Sequence, residues 1–191
     1  MASLLDRFNI YSEDGLIAYE QKEFVAGNLN SHIELRPYQE KAVSLFEYYL
    51  NGYPQKKNPT HLLFHMATGS GKTILMVANM LYLYEQGYRN FIFFVNSTNI
   101  IEKTKFNFLA KDKSKYLFSN KIIFNHNEVQ VTEVDNFEGA NPDDINILFT
   151  TIQGLHTRLR NPSENTITFE ELANTKLVLL SDEAHHINTM T

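Results

Sequence analysis

The sequence predicts an α/β domain with a mostly parallel sheet and helices on both faces, preceded by a short N-terminal arm. Strand-like apolar runs alternate with helical patterns along residues 35–191, which is typical of βαβ units. The run at residues 177–180 is apolar throughout, as expected for a strand that is buried on both faces of a parallel sheet. We therefore place the arm at residues 1–34 and one domain at residues 35–191.

Each element of the domain has a local sequence signal. Pro37 suits the first turn of a helix that runs to about Leu50 and is closed by Asn51-Gly52. Turn residues such as Glu13-Asp14-Gly15 divide the preceding arm into short pieces. After a polar linker at residues 53–59, we expect strands at 62–64, 91–95, 147–151 and 177–180, and helices from the glycine-rich loop to about 87, at 98–109 and at 169–173. Residues 111–146 are interpreted as an insertion with strands at 121–124 and 129–134.

A glycine-rich loop between the first predicted strand and its helix indicates a phosphate site. Gly69 and Gly71 let the backbone turn so that its N–H groups point inward, and the helix N-terminus adds partial positive charge. Lys72 would extend to the terminal phosphates, and the Thr73 hydroxyl is suited to Mg²⁺.

Two adjacent carboxylates follow the last predicted strand. Asp182 and Glu183 would emerge at the carboxyl end of the sheet, where open α/β folds bind their ligands. Asp182 would hold Mg²⁺, directly or through water, and Glu183 would polarise the attacking water. Loop and carboxylates together predict nucleotide hydrolysis.

These two segments resemble the DEAD/DEAH-box ATPases of helicase superfamily two. Residues 67–73 match motif I, which does not require glycine in place of Met66, and residues 182–185 match motif II. The resemblance implies a RecA-like P-loop domain that uses ATP and Mg²⁺, with Lys72, Asp182 and Glu183 in catalysis and with Thr73 and Asp182 at the metal. The implied ATP-binding residues are Gln39, Thr68, Gly69, Ser70, Gly71, Lys72 and Thr73.

Three further segments resemble parts of the same family. Residues 35–39 resemble its adenine-recognition element, in which the Gln39 amide would both donate to and accept from the base. Residues 93–98 resemble motif Ia, and residues 149–153 resemble the later threonine-rich motif. The implied contacts with the nucleic-acid backbone are made by Asn96, Ser97, Thr98, Thr150, Thr151 and Gln153. The resemblance also implies that His185 couples the phosphate state to DNA.

The runs at residues 93–104 and 180–188 are similar to the restriction subunit of type III restriction-modification enzymes. This resemblance implies ATP hydrolysis coupled to action on double-stranded DNA and a separate modification (methyltransferase) subunit as partner. It also implies a second motor domain and a nuclease domain elsewhere in the full-length chain. Because the second motor domain supplies an arginine in this family, we expect residues 1–191 alone to be nearly inactive as an ATPase.

Other functions remain open at this stage. The motor of a type I restriction translocase subunit or of a repair helicase would carry the same motifs. A nucleotide-gated module that binds DNA or a subunit, with vestigial hydrolysis, belongs to a different class. Glu183 favours hydrolysis, because a module that only binds nucleotide has no need of the water-activating carboxylate.

Composition limits the remaining choices. The chain has no cysteine, which excludes disulfides and thiolate metal sites. It has neither a signal-peptide pattern nor an apolar run long enough to cross a membrane, so we predict a cytoplasmic protein with no membrane partner. The net charge of −5 is unusual for a DNA binder, although lysines are frequent between residues 103 and 121. Those lysines could equally form a solvated surface.

Overall fold

The computed structural model describes residues 3–20 and 22–182. Glu183 and His185 lie outside the described residues. The helices are α1 (Leu4–Glu13), α2 (Glu23–Ala26), α3 (Pro37–Asn51), α4 (Lys72–Glu85), α5 (Thr98–Leu109), α6 (Ile152–Arg160) and α7 (Phe169–Asn174). The strands are β1 (Asn90–Val95), β2 (Ile122–Phe124), β3 (Asn127–Val129), β4 (Val131–Glu133), β5 (Ile145–Thr151) and β6 (Leu177–Ser181).

Four of these strands form a parallel sheet in the order β4-β5-β1-β6. Strand β1 is one of its two interior strands and pairs with β5 on one side and with β6 on the other. In this register Phe94 lies opposite both Thr150 and Ser181, so three strands end at the same edge. The predicted parallel sheet is confirmed, and this edge brings the segments after β1, β5 and β6 together.

Helices cover both faces of the sheet, as predicted. Phe91, Phe93 and Val95 of β1 belong to the main core, which also contains the buried side chains of α4 and α5. Ile92, one step along the strand, packs in a separate cluster with Leu148 of β5 and with side chains from α6 and α7. The division follows from the alternation of side chains across a strand.

Helix α4 is enclosed over most of its length. Every residue from Val77 to Tyr84 is buried, and Leu75 is buried as well. A helix that is apolar all round must lie inside the fold. On one side Phe46 of α3 packs edge-to-face against Tyr82, with ring centroids 5.9 Å apart. The Asn51 amide at the end of α3 donates to the Tyr82 hydroxyl at 2.7 Å.

The N-terminal segment packs against the insertion that follows α5. The Asn28 amide oxygen accepts from the Ile123 backbone N–H at 2.7 Å, and its nitrogen donates to the Ile123 carbonyl at 3.0 Å. Leu29 forms a β-bridge with Phe118. The insertion itself contains the antiparallel pair β2–β3 and the sheet strand β4. The strand predicted at 121–124 is confirmed, whereas the one predicted at 129–134 is divided between β3 and β4.

The strand predicted at residues 62–64 is wrong for the described part of the chain. Leu62 and Phe64 are half-buried against the core, and Leu63 between them is 77% exposed, so the side chains alternate as in a strand. A strand also requires a hydrogen-bonded neighbour. Within residues 3–20 and 22–182 the sheet ends at β6, and the segment before the loop has no strand partner. Over the same ranges, no helix is both long and apolar enough to cross a membrane.

The buried tyrosines allow a test of polar burial. Tyr116 is fully buried, its hydroxyl has no partner among the described residues, and burial raises its pKa to about 12. We expect Tyr116→Phe to stabilise the fold by about 1 kcal/mol, because an unsatisfied buried hydroxyl is costly. Tyr82→Phe is the matched control, since it removes the bond to Asn51 and should destabilise by about 1 kcal/mol. Urea unfolding at neutral pH measures both changes, and a destabilised Tyr116→Phe would contradict this account.

Candidate nucleotide site

The glycine-rich loop turns sharply before α4. Gly69 has φ +78° and Gly71 has φ +81°, both in the left-handed region that favours glycine. Gly71 is the residue that caps α4, so Lys72 and Thr73 occupy the first turn of this buried helix. The backbone N–H groups of a first helical turn lack partners within the helix, and the helix dipole adds partial positive charge there. The loop therefore has the backbone geometry of an anion site.

Lys72 lies across the loop. Its ammonium nitrogen is 3.4 Å from the Met66 carbonyl oxygen and 3.3 Å from the Ala67 carbonyl oxygen. The Ser70 hydroxyl and backbone N–H also donate to Ala67 O, at 2.6 and 3.2 Å. These contacts place the cation of Lys72 beside the turn whose N–H groups would face a phosphate.

Helix α3 holds the other side of the loop. Gln39 is only 2% exposed. Its amide oxygen accepts from the Arg36 backbone N–H at 2.9 Å, and its amide nitrogen lies 3.2 Å from Ser70 O and 3.3 Å from Gly71 O. Sequence reasoning identified Gln39 but missed its contact with the loop. Contact between Gln39 and adenine stays a prediction, and only the second lone pair of the amide oxygen remains for it.

A cavity of about 540 Å³ adjoins the loop. The loop and Gln39 form one wall, and Lys103 and Asn107 of α5, together with Lys115, form another. Pockets for small-molecule ligands span roughly 300–1,000 Å³, and this volume lies within that range.

The lysines between residues 103 and 121 do not form one surface. Lys105 pairs with Glu133 at 2.5 Å, and Lys113 pairs with Asp112 at 2.8 Å. Lys111 donates to the Gln130 side chain. Lys103 and Lys115 differ from these, because both line the cavity beside the loop.

The acidic end of β6 lies at the edge already described. Ser181 pairs with Phe94 of β1, and Asp182 follows directly. No group of three or more His, Cys, Asp or Glu side chains capable of holding a metal occurs within residues 3–20 and 22–182. Only two protein ligands are proposed for Mg²⁺, the Thr73 hydroxyl and the Asp182 carboxylate. Mg²⁺ is commonly bound by one or two protein oxygens, with phosphate oxygens and water completing its coordination.

The residues predicted to contact nucleic acid lie after β1 and β5 and differ in exposure. Asn96, Thr98 and Gln153 are exposed, whereas Thr150 is 5% exposed. Ser97 caps the start of α5 without a side-chain hydrogen bond. The structure places all of these residues at the end of the sheet where Asp182 lies, and their contact with nucleic acid stays a prediction.

Two of the predicted DNA contacts have local structural partners. The Thr151 hydroxyl caps α6 by accepting from the Gly154 N–H at 2.9 Å, and the Thr150 hydroxyl donates to the Thr151 carbonyl at 3.2 Å. A β-carbon on Gly154 would lie 2.9 Å from the Thr150 hydroxyl oxygen, which explains the glycine. A threonine is a common N-cap residue, and the helix start at Thr151 was missed in the sequence.

Comparisons with known proteins identify the family of this chain. The family described as "Type III restriction enzyme, res subunit" matches residues 32–191. A Haemophilus influenzae protein named "probable type III restriction-modification enzyme HindVIP Res subunit" is 46% identical over 143 residues. The match includes 74% of this chain and 28% of that protein, so this chain spans well under half of the relative's length. No solved structure matches the chain.

The two loop glycines allow a matched test of the loop geometry. A β-carbon on Gly71 would lie 2.6 Å from the Gln39 amide nitrogen, whereas one on Gly69 would meet nothing within 4 Å. Gly69→Ala should cost about 1–2 kcal/mol of folding free energy, from the left-handed backbone alone. Gly71→Ala should cost roughly 1–2 kcal/mol more, because the amide is displaced from its hydrogen bonds. Urea unfolding measures both variants, and equal losses would show that Gln39 does not constrain the loop.

Proposed function

This chain belongs to the Res-subunit family of type III restriction enzymes, and from that membership we propose that it is the ATP-binding half of a DNA-dependent ATPase motor. The observation that carries the proposal is the position of Lys72, whose ammonium lies over a glycine-rich loop at the start of a buried helix. ATP hydrolysis on this domain would be coupled to action on double-stranded DNA. The RecA-like α/β fold fits this role.

The triphosphate would bind at the start of α4. Thr68, Gly69, Ser70 and Gly71 supply the loop, and its backbone N–H groups donate to phosphate oxygens. Lys72 would leave the carbonyls of Met66 and Ala67, both more than 3 Å away, for the stronger charge-assisted contact with phosphate. The enclosed helix α4 keeps these donors in place.

Mg²⁺ and the attacking water would lie between the loop and β6. Thr73 and Asp182 would hold the metal, which neutralises charge on the transferring phosphoryl group. Glu183 would accept the proton of the water as a general base. Lys72, Asp182 and Glu183 are thus the proposed catalytic residues.

The base would enter the cavity that adjoins the loop. Gln39 forms part of its wall, and the free lone pair of the Gln39 amide oxygen matches the exocyclic amino group of adenine. ATP and Mg²⁺ are therefore the proposed cofactors.

DNA would contact the edge where β1 and β5 end. Asn96, Ser97, Thr98 and Gln153 would contact the phosphate backbone, together with Thr150 and Thr151 at the start of α6. His185, two residues beyond Glu183, is proposed to transmit the phosphate state to this edge. These residues supply hydroxyls and amides more than cations, which is compatible with the net charge of −5.

In the complete cytoplasmic enzyme, this domain would work with three further parts. A second motor domain would complete the ATP site, and a nuclease domain of the same protein would cut the DNA. A modification (methyltransferase) subunit would be the separate partner. We propose residues 35–191 as the motor domain and residues 1–34 as its N-terminal arm.

Substitution of the loop lysine tests nucleotide binding. Lys72→Ala should weaken Mg-ADP binding by roughly 30-fold or more, which corresponds to about 2 kcal/mol for loss of a charged hydrogen-bond donor. The control is Lys57→Ala, since Lys57 is exposed in the linker before the loop. Calorimetric titration measures both affinities. An unchanged affinity in Lys72→Ala would contradict the phosphate-site assignment.

Hydrolysis is tested separately from binding. Glu183→Gln keeps the shape of the side chain and removes the base, so turnover in the complete subunit with DNA should fall about 10²- to 10⁴-fold. ATP affinity should stay within a few-fold of the wild type, and Glu164→Gln, at an exposed position, should change neither quantity. Steady-state phosphate release is the measurement. If the wild type bound ATP but did not hydrolyse it, the nucleotide-gated binding module would replace the motor.

A further inference from the structure

Tyr38, in the first turn of α3, contacts the glycine-rich loop through its hydroxyl. Its oxygen lies 2.8 Å from the Ser70 carbonyl oxygen, and its ring is largely outside the core, with the residue 43% exposed. The Arg36 guanidinium lies 3.1 Å from the same hydroxyl oxygen. The proposed function uses neither Tyr38 nor the Arg36 side chain.

The direction of these hydrogen bonds is determined by the groups themselves. A guanidinium has donors and no acceptor, so Arg36 must donate to a lone pair of the Tyr38 oxygen. The phenol has one proton, and the Ser70 carbonyl oxygen accepts but cannot donate. The Tyr38 proton therefore goes to Ser70 O, and Arg36 keeps the hydroxyl in the orientation that donates to the loop.

Holding the Ser70 carbonyl also fixes a donor of the loop. The carbonyl of Ser70 and the N–H of Gly71 belong to one planar trans peptide, in which the two groups point in opposite directions. With the oxygen drawn toward α3, the Gly71 N–H points away from α3. The Gln39 amide nitrogen contacts the same Ser70 oxygen at the longer distance of 3.2 Å, and the Tyr38 hydroxyl makes the shorter contact at 2.8 Å. The same nitrogen is 3.3 Å from Gly71 O, so Gln39 also holds the next peptide, whose N–H belongs to Lys72.

The Ser70–Gly71 peptide is not fixed by its own backbone and needs hydrogen bonds from another element. Ser70 is flanked by Gly69 and Gly71, both with positive φ, and glycine populates either sign of φ about as readily. Rotation of the Ser70–Gly71 peptide would turn its carbonyl toward the phosphate site and replace a donor by an acceptor. Residues 68–71 contain no side chain that holds this carbonyl, so the constraint comes from α3.

We propose that Tyr38 is a positioning residue of the phosphate site, which sets the Gly71 N–H toward the phosphate by holding the Ser70 carbonyl, with Arg36 orienting its hydroxyl. The inference rests on the proposed function for its ligand. It goes beyond that function because it attributes the orientation of the loop peptide to side chains of α3. Tyr38 acts on the phosphate-binding peptide and not on the base.

The test compares two ligands in two single-atom variants. Tyr38→Phe removes only the hydroxyl, and Tyr48→Phe is the control on the same helix, where Tyr48 packs against Phe8 with ring centroids 5.6 Å apart. Mg-ADP and inorganic triphosphate are titrated calorimetrically into the purified chain. Tyr38→Phe should weaken both ligands by the same factor, about 3- to 10-fold, as expected for one hydrogen bond. Tyr48→Phe should change neither.

A second measurement needs no nucleotide. The NMR order parameter of the Gly71 N–H should fall in Tyr38→Phe and stay unchanged in Tyr48→Phe, because the Ser70 carbonyl then keeps only its contact with the Gln39 amide and the peptide samples more orientations. Arg36→Met keeps the length of the side chain without its donors and should produce a smaller change in the same direction. If Tyr38→Phe lowers the melting temperature enough to disturb the titrations, the same titrations are made with Arg36→Met instead.

The outcomes separate this inference from the proposed function. Unchanged triphosphate affinity in Tyr38→Phe, or a loss confined to ADP, would overturn the inference, and the second result would assign Tyr38 to the base. Wild-type protein that bound neither ligand would overturn the proposed function and the role of Tyr38 in it. Equal losses for both ligands, with a lower order parameter at Gly71, would support the inference.

Discussion

The burial of α4 is the constraint on which the rest of the structure depends. Four of its side chains are fully buried, those of Val77, Ala78, Met80 and Leu81. This part of the helix therefore has no solvent-exposed face. Each large apolar side chain contributes roughly 1.5–3 kcal/mol when it is fully buried, and a rotation or shift of the helix would lose several such contributions together. The first turn of α4 therefore has one position relative to β1. The position of this turn determines where the loop glycines, Lys72 and Thr73 lie.

The loop is held in two different ways. Its C-terminal end is fixed by the buried helix, whereas its carbonyls are held by polar groups at the N-terminus of α3. Helix α3 is itself fixed against α4 by Phe46 and by the bond between Asn51 and Tyr82. The geometry of the loop thus depends on packing about two to three helical turns away along each helix. A substitution at Phe46 would disturb both helices that hold the loop, although this residue contacts no part of the site.

The sequence predicted the elements whose pattern is local. Helix α5 matches the predicted residues 98–109, and β1, β5, α7 and β6 differ from prediction by two residues at most. The N-terminal helix α1 was missed although Ser3 and Asp6 form a capping box, whose hydrogen bonds also lower the pKa of Asp6. Helix α6 was missed because Gly154 and the β-branched Ile152 weaken its helical pattern. Residues 62–64 were predicted as a strand because they form a short apolar run before the loop, and such a run carries no information about a neighbouring strand.

Gln39 shows why the hydrogen-bond partners of a site residue are harder to predict than the presence of that residue in the site. The sequence indicated an amide near the nucleotide, and a free amide offers two donors and two lone pairs. In the folded chain both donors are directed to loop carbonyls, and one lone pair accepts from Arg36. These partners come from tertiary contacts that no local pattern encodes. Under the proposed function, one acceptor remains for the base, so the same side chain that recognises adenine also holds the peptide that binds phosphate. Contact with the base would then bear directly on loop geometry, because a rotation of the amide toward adenine would remove the Gln39 hydrogen bonds to the Ser70 and Gly71 carbonyls and leave Tyr38 as the α3 side chain that holds Ser70 O.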